Sequence, residues 1–278
     1  HLDFLAVMNT RLMKGQKVLQ GYLSAKNPVD TWVSGTFAIA FWTVNHLWHL
    51  GKYNLGLSSC LGGTGMCISA DIVREFGWGC DCLTEDMEFS MKCLSHGIRT
   101  CWVHDAIIYD EKPLTFMASW RQRKRWAQGQ FDCSERYIPI LMKEGFKRHS
   151  IVVLDGIMQL LQNYFLLISA FYLVMTYINM FYPCFTVVLY NDALVPRQFW
   201  SVLGTIQYVL PLIVLLQIEV PAKIYLYWLI YPVFMYSWVP VTFLGWIHRH
   251  EKQWVHTIHT RSMQFQAASL TRKKEIDS

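Results

Sequence analysis

Apolar and polar positions follow two regimes along this chain. Up to about Ser150 short apolar runs alternate with charges and turn residues, whereas from Ile151 to Ile247 the formal charges are Asp155, Asp192, Arg197, Glu219 and Lys223 alone. In the first regime the spacing of Leu2, Leu5, Met8 or Asn9 and Leu12 predicts a helix stopped at Gly15, followed by a strand over Lys17 to Tyr22. Asn27-Pro28 and Asp30 mark a turn, and Thr31 to Leu50 reads as a buried or interface helix, interrupted by Asn45, His46 and His49. A strand over Met66 to Ser69, a helix from about Asp71 to Gly77 and a helix opened by Thr84-Glu85-Asp86 come next. The last has Met87, Met91 and Leu94 as its inward stripe and Gly97 as its end. Extended pieces at Ile98 to His104 and Ala106 to Tyr109 then lead through Asp110-Glu111-Lys112-Pro113 into a helix over Phe116 to Gln128. Alternating helices and strands give an α/β class. The chain opens on a helix with no preceding strand for it to cross over from, so an N-terminal portion is expected to be absent.

In the second regime Gly156 to Tyr182, Phe199 to Ile218 and Ala222 to Ile247 are each long enough for a hydrocarbon core of about 30 Å, which takes roughly 20 residues. The expected organisation is a cytosolic domain at 1–150, about three transmembrane helices in 151–247 and a basic cytosolic tail at 248–278, a multi-pass protein of the cell membrane. Three spans would put the tail opposite the first domain. Either Ile151 to Asn191 holds two elements, one lying in the interface, or the tail breaks the positive-inside rule. Composition agrees with a bilayer partner: 53% of residues are hydrophobic, above the roughly 45–50% of soluble proteins. The net charge of +5 gathers at Arg121 to Arg125, Lys143 to Arg148 and the tail, which suits anionic headgroups. No nucleic-acid reading motif is present. Seven of the eight cysteines precede Ile151 and read as reduced, buried thiols; Cys93-x-x-His96 and Cys101-x-x-His104 fall short of a zinc-finger spacing.

Candidate chemistry concentrates around Leu114 to Phe131. As a helix, this run places Gln122, Arg125, Trp126 and Gly129 on one face: an amide, a forked cation, a flat indole and bare backbone. Arg binds a diphosphate bidentately and Trp offers a surface for a sugar ring, so the set fits a nucleotide-sugar site. The competing reading is a juxtamembrane basic helix snorkelling into headgroups. Upstream, Leu61-Gly62-Gly63-Thr64-Gly65 lets backbone approach a ligand closely, and Glu85 and Asp86 suit a helix N-terminus.

Gly-Gly-Thr-Gly, Thr-Glu-Asp and Gln-Arg-Lys-Arg-Trp, in that order and followed by apolar helices, resemble the membrane-embedded processive family 2 glycosyltransferases, the group of cellulose, chitin, hyaluronan and poly-N-acetylglucosamine synthases. Trp254 to Thr260 resembles a post-membrane motif of bacterial members. The resemblance implies the C-terminal half of a GT-A domain followed by an all-α transmembrane domain, and inverting transfer of a hexose or N-acetylhexosamine from a UDP-sugar to a growing glycan. Asp86 would be the general base. Gln122, Arg125 and Trp126 would hold the donor diphosphate and the acceptor end, with Gly63, Thr64 and Gly65 bordering the acceptor pocket and Glu85 beside it. The family's Mg²⁺ or Mn²⁺ is expected for the intact enzyme, but its Asp-x-Asp ligands have no counterpart here, and Asp81 and Glu85 do not replace them. The isolated chain is therefore expected to be inactive. One rival reading, a pseudoenzyme or regulatory accessory subunit of a glycan-synthesis complex that pairs with an active partner, shares these motifs; a second, a small transporter, is opposed by the few intramembrane charges and the lack of an internal repeat.

Overall fold

The computed structural model describes residues 3–182 and 197–251. Its first part is a three-layer α/β unit. Helix α1 (Phe4–Met13) precedes strand β1 (Val18–Ala25). Helix α2 (Trp32–Thr43) opens on a capping box in which Thr31 and Ser34 satisfy each other's backbone N–H groups. The chain then passes into a π-helical segment, Val44–His49, and α3 (Leu50–Asn54). The polar Asn45, His46 and His49 thus mark a change of helix type where the sequence suggested an interruption. Strand β2 (Met66–Ile68), α4 (Ala70–Phe76), α5 (Glu85–Ser95) and strand β3 (Thr100–Asp110) complete the unit.

The sheet order is β2-β1-β3, with β2 antiparallel and β3 parallel to the buried β1. The two extended pieces predicted at Ile98 to His104 and Ala106 to Tyr109 are one strand. Its register jumps at Gly21/Tyr22, where Gly21 faces Val103 but Tyr22 faces Ile107, a bulge that re-aims His104 and Asp105. One sheet face packs on α1 through Met8, Leu19, Cys101, Val103 and Ala106. The other packs on α4 and α5 through Val18, Ile72, Phe89 and Cys93.

Helix α6 (Phe116–Lys147) is the spine that joins this unit to the apolar helices. It runs well past the predicted Gln128 and through Pro139. Its Thr115 cap accepts from the Ala118 N–H at 3.2 Å. Beyond it lie α7 (Ile151–Phe181), α8 (Arg197–Gln217), α9 (Lys223–Tyr236) and α10 (Trp238–Ile247). Two stretches, Ile151–Asn179 and Lys223–Ile247, are long and apolar enough to cross a membrane; the third predicted stretch, Phe199 to Ile218, falls on α8. Residues 183–196, where a second element before Asn191 was considered, and Trp254 to Thr260 lie outside the described residues. Lys52 on α3 pairs with Asp155 on α7 at 2.7 Å, and Trp48 Nε1 donates to Gln159 at 2.8 Å, pinning α7 to the α/β unit.

Candidate active site

Asp86 stands in the first turn of α5, half-buried, beneath the Gly62–Gly65 loop. Gly63 adopts φ +73°, and a methyl added there would lie 3.2 Å from Asp86 Oδ2, so the loop backbone rests directly on the carboxylate. Burial pushes the Asp86 carboxyl up to about 6; the neighbouring Glu85 adds to this, while the Met87 N–H, which donates to Oδ1 at 2.7 Å, and the Arg125 guanidinium oppose it.

Three side chains that the sequence reading did not single out fix this arrangement. Gln20, fully buried in β1, accepts from the Gly62 N–H at 2.8 Å and donates to the Thr64 carbonyl at 2.9 Å. The Gly65 carbonyl accepts from the Gly21 N–H at 2.9 Å. Thr64 and Gly65 therefore spend their carbonyls holding the loop to the sheet, and Gly63 is the member that meets Asp86. Ser90 ties the loop to α5 from the other side, accepting from the Leu61 N–H and donating to the Asp86 carbonyl, both at 2.8 Å. Glu88, buried one turn after Thr84, accepts from the Asp81 and Cys82 N–H groups at 2.7 Å each and lies 3.6 Å from Arg136 of α6. These bonds shape the segment entering α5. A polar residue inside a fully buried strand and an acid on the inward face of a helix were the signals for Gln20 and Glu88.

Helix α6 supplies the facing wall. Arg125 Nη1 donates to the Leu83 carbonyl at 3.3 Å, which brings its guanidinium to the start of α5. Trp126 packs edge-on to Phe37 of α2, 5.9 Å between centroids, and stacks near Trp238 of α10 at 6.5 Å. The expected bare patch at Gly129 is not bare. A methyl there would sit 2.6 Å from the Thr84 N and Oγ1 atoms, so Gly129 is the notch that receives Thr84 and sets the spacing between α5 and α6. Thr84 occupies the predicted N-cap position, but its hydroxyl makes no capping bond. Among the described residues Thr84 Oγ1, Gln122 Oε1 and Arg125 Nε are buried polar atoms without a partner. Orphaned donors and acceptors of this kind cost roughly 1–3 kcal/mol each unless water or a ligand satisfies them.

Arg123, between Gln122 and Arg125, does something else. It is fully buried, donates to Ser237 Oγ at 2.8 Å and lies 4.5 Å from the Phe234 ring and 5.1 Å from the Trp238 ring. Burial lowers its guanidinium to about 10. It is the bolt between α6 and the α9–α10 junction, and the basic run serves neither the lipid nor the ligand uniformly.

Residues 3–246, nearly the whole described chain, match the family described as glycosyl transferase family group 2. The chain belongs to this glycosyltransferase family. It is also similar to a protein described as "Probable glycosyltransferase YdaM" from Bacillus subtilis (strain 168), 30% identical over 80 residues, 28% of this chain. The matched part spans only 19% of that protein's length. Among the described residues no three His, Cys, Asp or Glu side chains come together as a metal site. Asp86 and Glu85 do not fit a divalent cation by themselves.

Proposed function

We propose that this chain carries the acceptor-side machinery of a membrane-embedded, processive family 2 enzyme that adds a hexose or N-acetylhexosamine from a UDP-sugar to a growing polysaccharide. The observation that carries the reading is the Asp86 carboxylate: it sits beneath Gly63 and within electrostatic reach of Arg125 of α6, whose Nε is unpaired. A base held near 6 is mostly ionised at neutral pH yet basic enough to take a proton in the transition state. The acceptor hydroxyl attacks the anomeric carbon from the face opposite the leaving diphosphate, its proton passes to Asp86, and the configuration inverts. Arg125 stabilises the negative charge gathering on the departing diphosphate by a forked hydrogen bond. Trp126, already set among Phe37, Phe41 and Trp238, presents the remaining indole surface to the acceptor sugar. The Mg²⁺ or Mn²⁺ expected of the family would take its ligands from residues other than these.

The bilayer placement is supported by the outward faces of the apolar helices. Ile168, Phe171, Val174 and Tyr177 on α7 and Leu226, Leu229 and Val233 on α9 stay exposed, as lipid-facing side chains would. The deciding experiment, like every turnover measurement proposed for this site, uses the intact enzyme: UDP release from UDP-glucose and UDP-N-acetylglucosamine by native membranes carrying it, with membranes carrying its Asp86→Asn variant as reference. Release that is equal in both would overturn the reading.

A further inference from the structure

A second cavity, away from Asp86 and α6, has no part in the mechanism above. Its volume is about 410 Å³, within the range of small-molecule pockets of roughly 300–1,000 Å³. It lies between the C-terminal half of β1, the bulged part of β3, the π-helical segment and the α8–α9 connection Ile218 to Pro221. Its walls include the rings of Tyr22, Trp42 and Tyr109, and two histidines, His46 and His104, stand against each other with centroids 5.0 Å apart at 88°.

The partners of the two imidazoles determine their tautomers. His46 Nδ1 lies 2.9 Å from the Trp42 carbonyl, which can only accept, so Nδ1 carries the proton and Nε2 keeps a lone pair. His104 Nδ1 receives the Trp102 indole N–H at 3.2 Å; indole can only donate, so Nδ1 is the acceptor and Nε2 carries the proton of the neutral ring. Burial lowers the His104 pKa. Among the described residues neither Nε2 has a hydrogen-bond partner. Together they offer one acceptor and one donor. A metal ion is disfavoured, since ligation through His104 Nε2 would require removing its proton while Nδ1 stays occupied. A hydroxyl is the group that needs a donor and an acceptor at once. Aromatic walls and the two carboxylates at the cavity, Asp105 and Glu219, add flat apolar surface and further hydroxyl acceptors.

We infer that this cavity is a second carbohydrate site, which holds one hexopyranose unit by hydroxyl bonds to His46 and His104 and by packing on Tyr22, Trp42 and Tyr109. The sugar is either a free monosaccharide or a unit of a glycan chain. The site stands on its own geometry and does not depend on Asp86 acting as a base.

The test is saturation-transfer NMR on the full chain in a sugar-free detergent, with methyl β-glucopyranoside, methyl N-acetyl-β-glucosaminide, cellotetraose and chitotetraose as probes. At least one probe is expected to bind. A monosaccharide that binds as well as its tetramer identifies the free sugar as occupant, and a clear preference for the tetramer identifies the chain. His46→Phe and His104→Phe, which keep a ring but lose the nitrogens, and Tyr109→Ala at the exposed rim, should each weaken binding about tenfold, whereas Lys124→Ala should leave it unchanged. Should a histidine variant misfold, Tyr109→Ala and photocrosslinking of the unaltered protein with a diazirine glycoside remain: the label is expected in peptides spanning Tyr22–Ala25 or Ile218–Pro221. No sugar signal for any probe, a signal unaffected by Tyr109→Ala and both histidine changes, binding of tetramethylammonium in place of sugars, or label confined to Gly63–Gly65 and α6 would each overturn the proposal. Loss of transferase activity in Asp86→Asn with this binding intact separates the two sites.

Discussion

Gly63 lies against the carboxylate of Asp86, close enough that a methyl group on Gly63 would come within 3.2 Å of Oδ2. Its φ of +73° already belongs to the region that costs an L-residue about 1–2 kcal/mol. Gly63→Ala is therefore expected to push Asp86 aside and cut transferase activity at least about tenfold, at a stability cost of about 1–2 kcal/mol. Steady-state turnover alongside thermal unfolding checks this. Unchanged turnover in a folded variant would show that the loop and the carboxylate do not act together.

Asp86 links activity, stability and pH. As the proposed base, Asp86 must be ionised to act, so activity of the intact enzyme should rise with pH through about 6 and level off above it. Stability moves the other way. The folded-state value lies above the ordinary 3.8, so as pH climbs from about 4 to 6 the unfolded chain ionises first and the native state loses ground. Asp86→Asn should cost at least about 10²-fold in turnover and yet stabilise the protein at neutral pH by about 1–2 kcal/mol, with allowance for the water that still reaches the carboxylate. Glu85→Gln should cost less activity. Equal small losses from both changes would reduce the pair to ordinary helix-start acids.

Arg125→Lys loses the forked hydrogen bond and Trp126→Phe loses indole area, so each should lower turnover about tenfold or more, about 1.4 kcal/mol of transition-state stabilisation. Lys124→Ala is the control. Membrane insertion is measured for all three. Inserted variants as active as Lys124→Ala would favour the lipid-anchor reading of this run.

Arg123 should behave unlike its neighbour. Removing its bulk in Arg123→Ala opens a cavity between α6 and the α9–α10 junction and should cost about 2–4 kcal/mol. Arg123→Met, which keeps the length and leaves no buried charge, should stay within about 1 kcal/mol of the parent. Chemical denaturation of the two variants makes the comparison; equal large losses would mean that the charge itself is needed.

Gln20→Leu keeps the volume in β1 but strands the Gly62 N–H and the Thr64 carbonyl. We expect a loss of about 2–3 kcal/mol together with reduced turnover, since the loop over Asp86 is released. Full activity in Gln20→Leu would mean that Ser90 alone holds the loop.

Elements whose identity rests on local chemistry were legible in the chain. The period of Met87, Met91 and Leu94, the glycine stops at Gly15, Gly77 and Gly97 and the start of the helix after Thr115 are near-neighbour effects, and the helices they mark begin or end where they pointed. The long apolar stretches were legible for the same reason, because composition alone sets how far a helix can span. The motif order was enough to suggest the family that residues 3–246 match.

Tertiary structure decided what each polar residue does. Within Gln122 to Trp126 the sequence shows three consecutive cations, Arg123, Lys124 and Arg125, yet a helix turns successive residues by about 100°, so Arg123 is driven into the seam with Phe234 and Trp238 while Arg125 reaches the start of α5. Gly129 read as open backbone because nothing local reveals that Thr84, 45 positions earlier, fills the notch. Gln20, Ser90 and Glu88 escaped notice because their partners are backbone groups on other segments, and a backbone N–H has the same chemistry wherever it lies. His46 and His104 are 58 positions apart, and only the bulge in β3 and the π-helical turn bring their rings within 5.0 Å. Residue type and short-range period belong to the sequence; the direction in which a buried polar group finds its partner belongs to the packing of the layers.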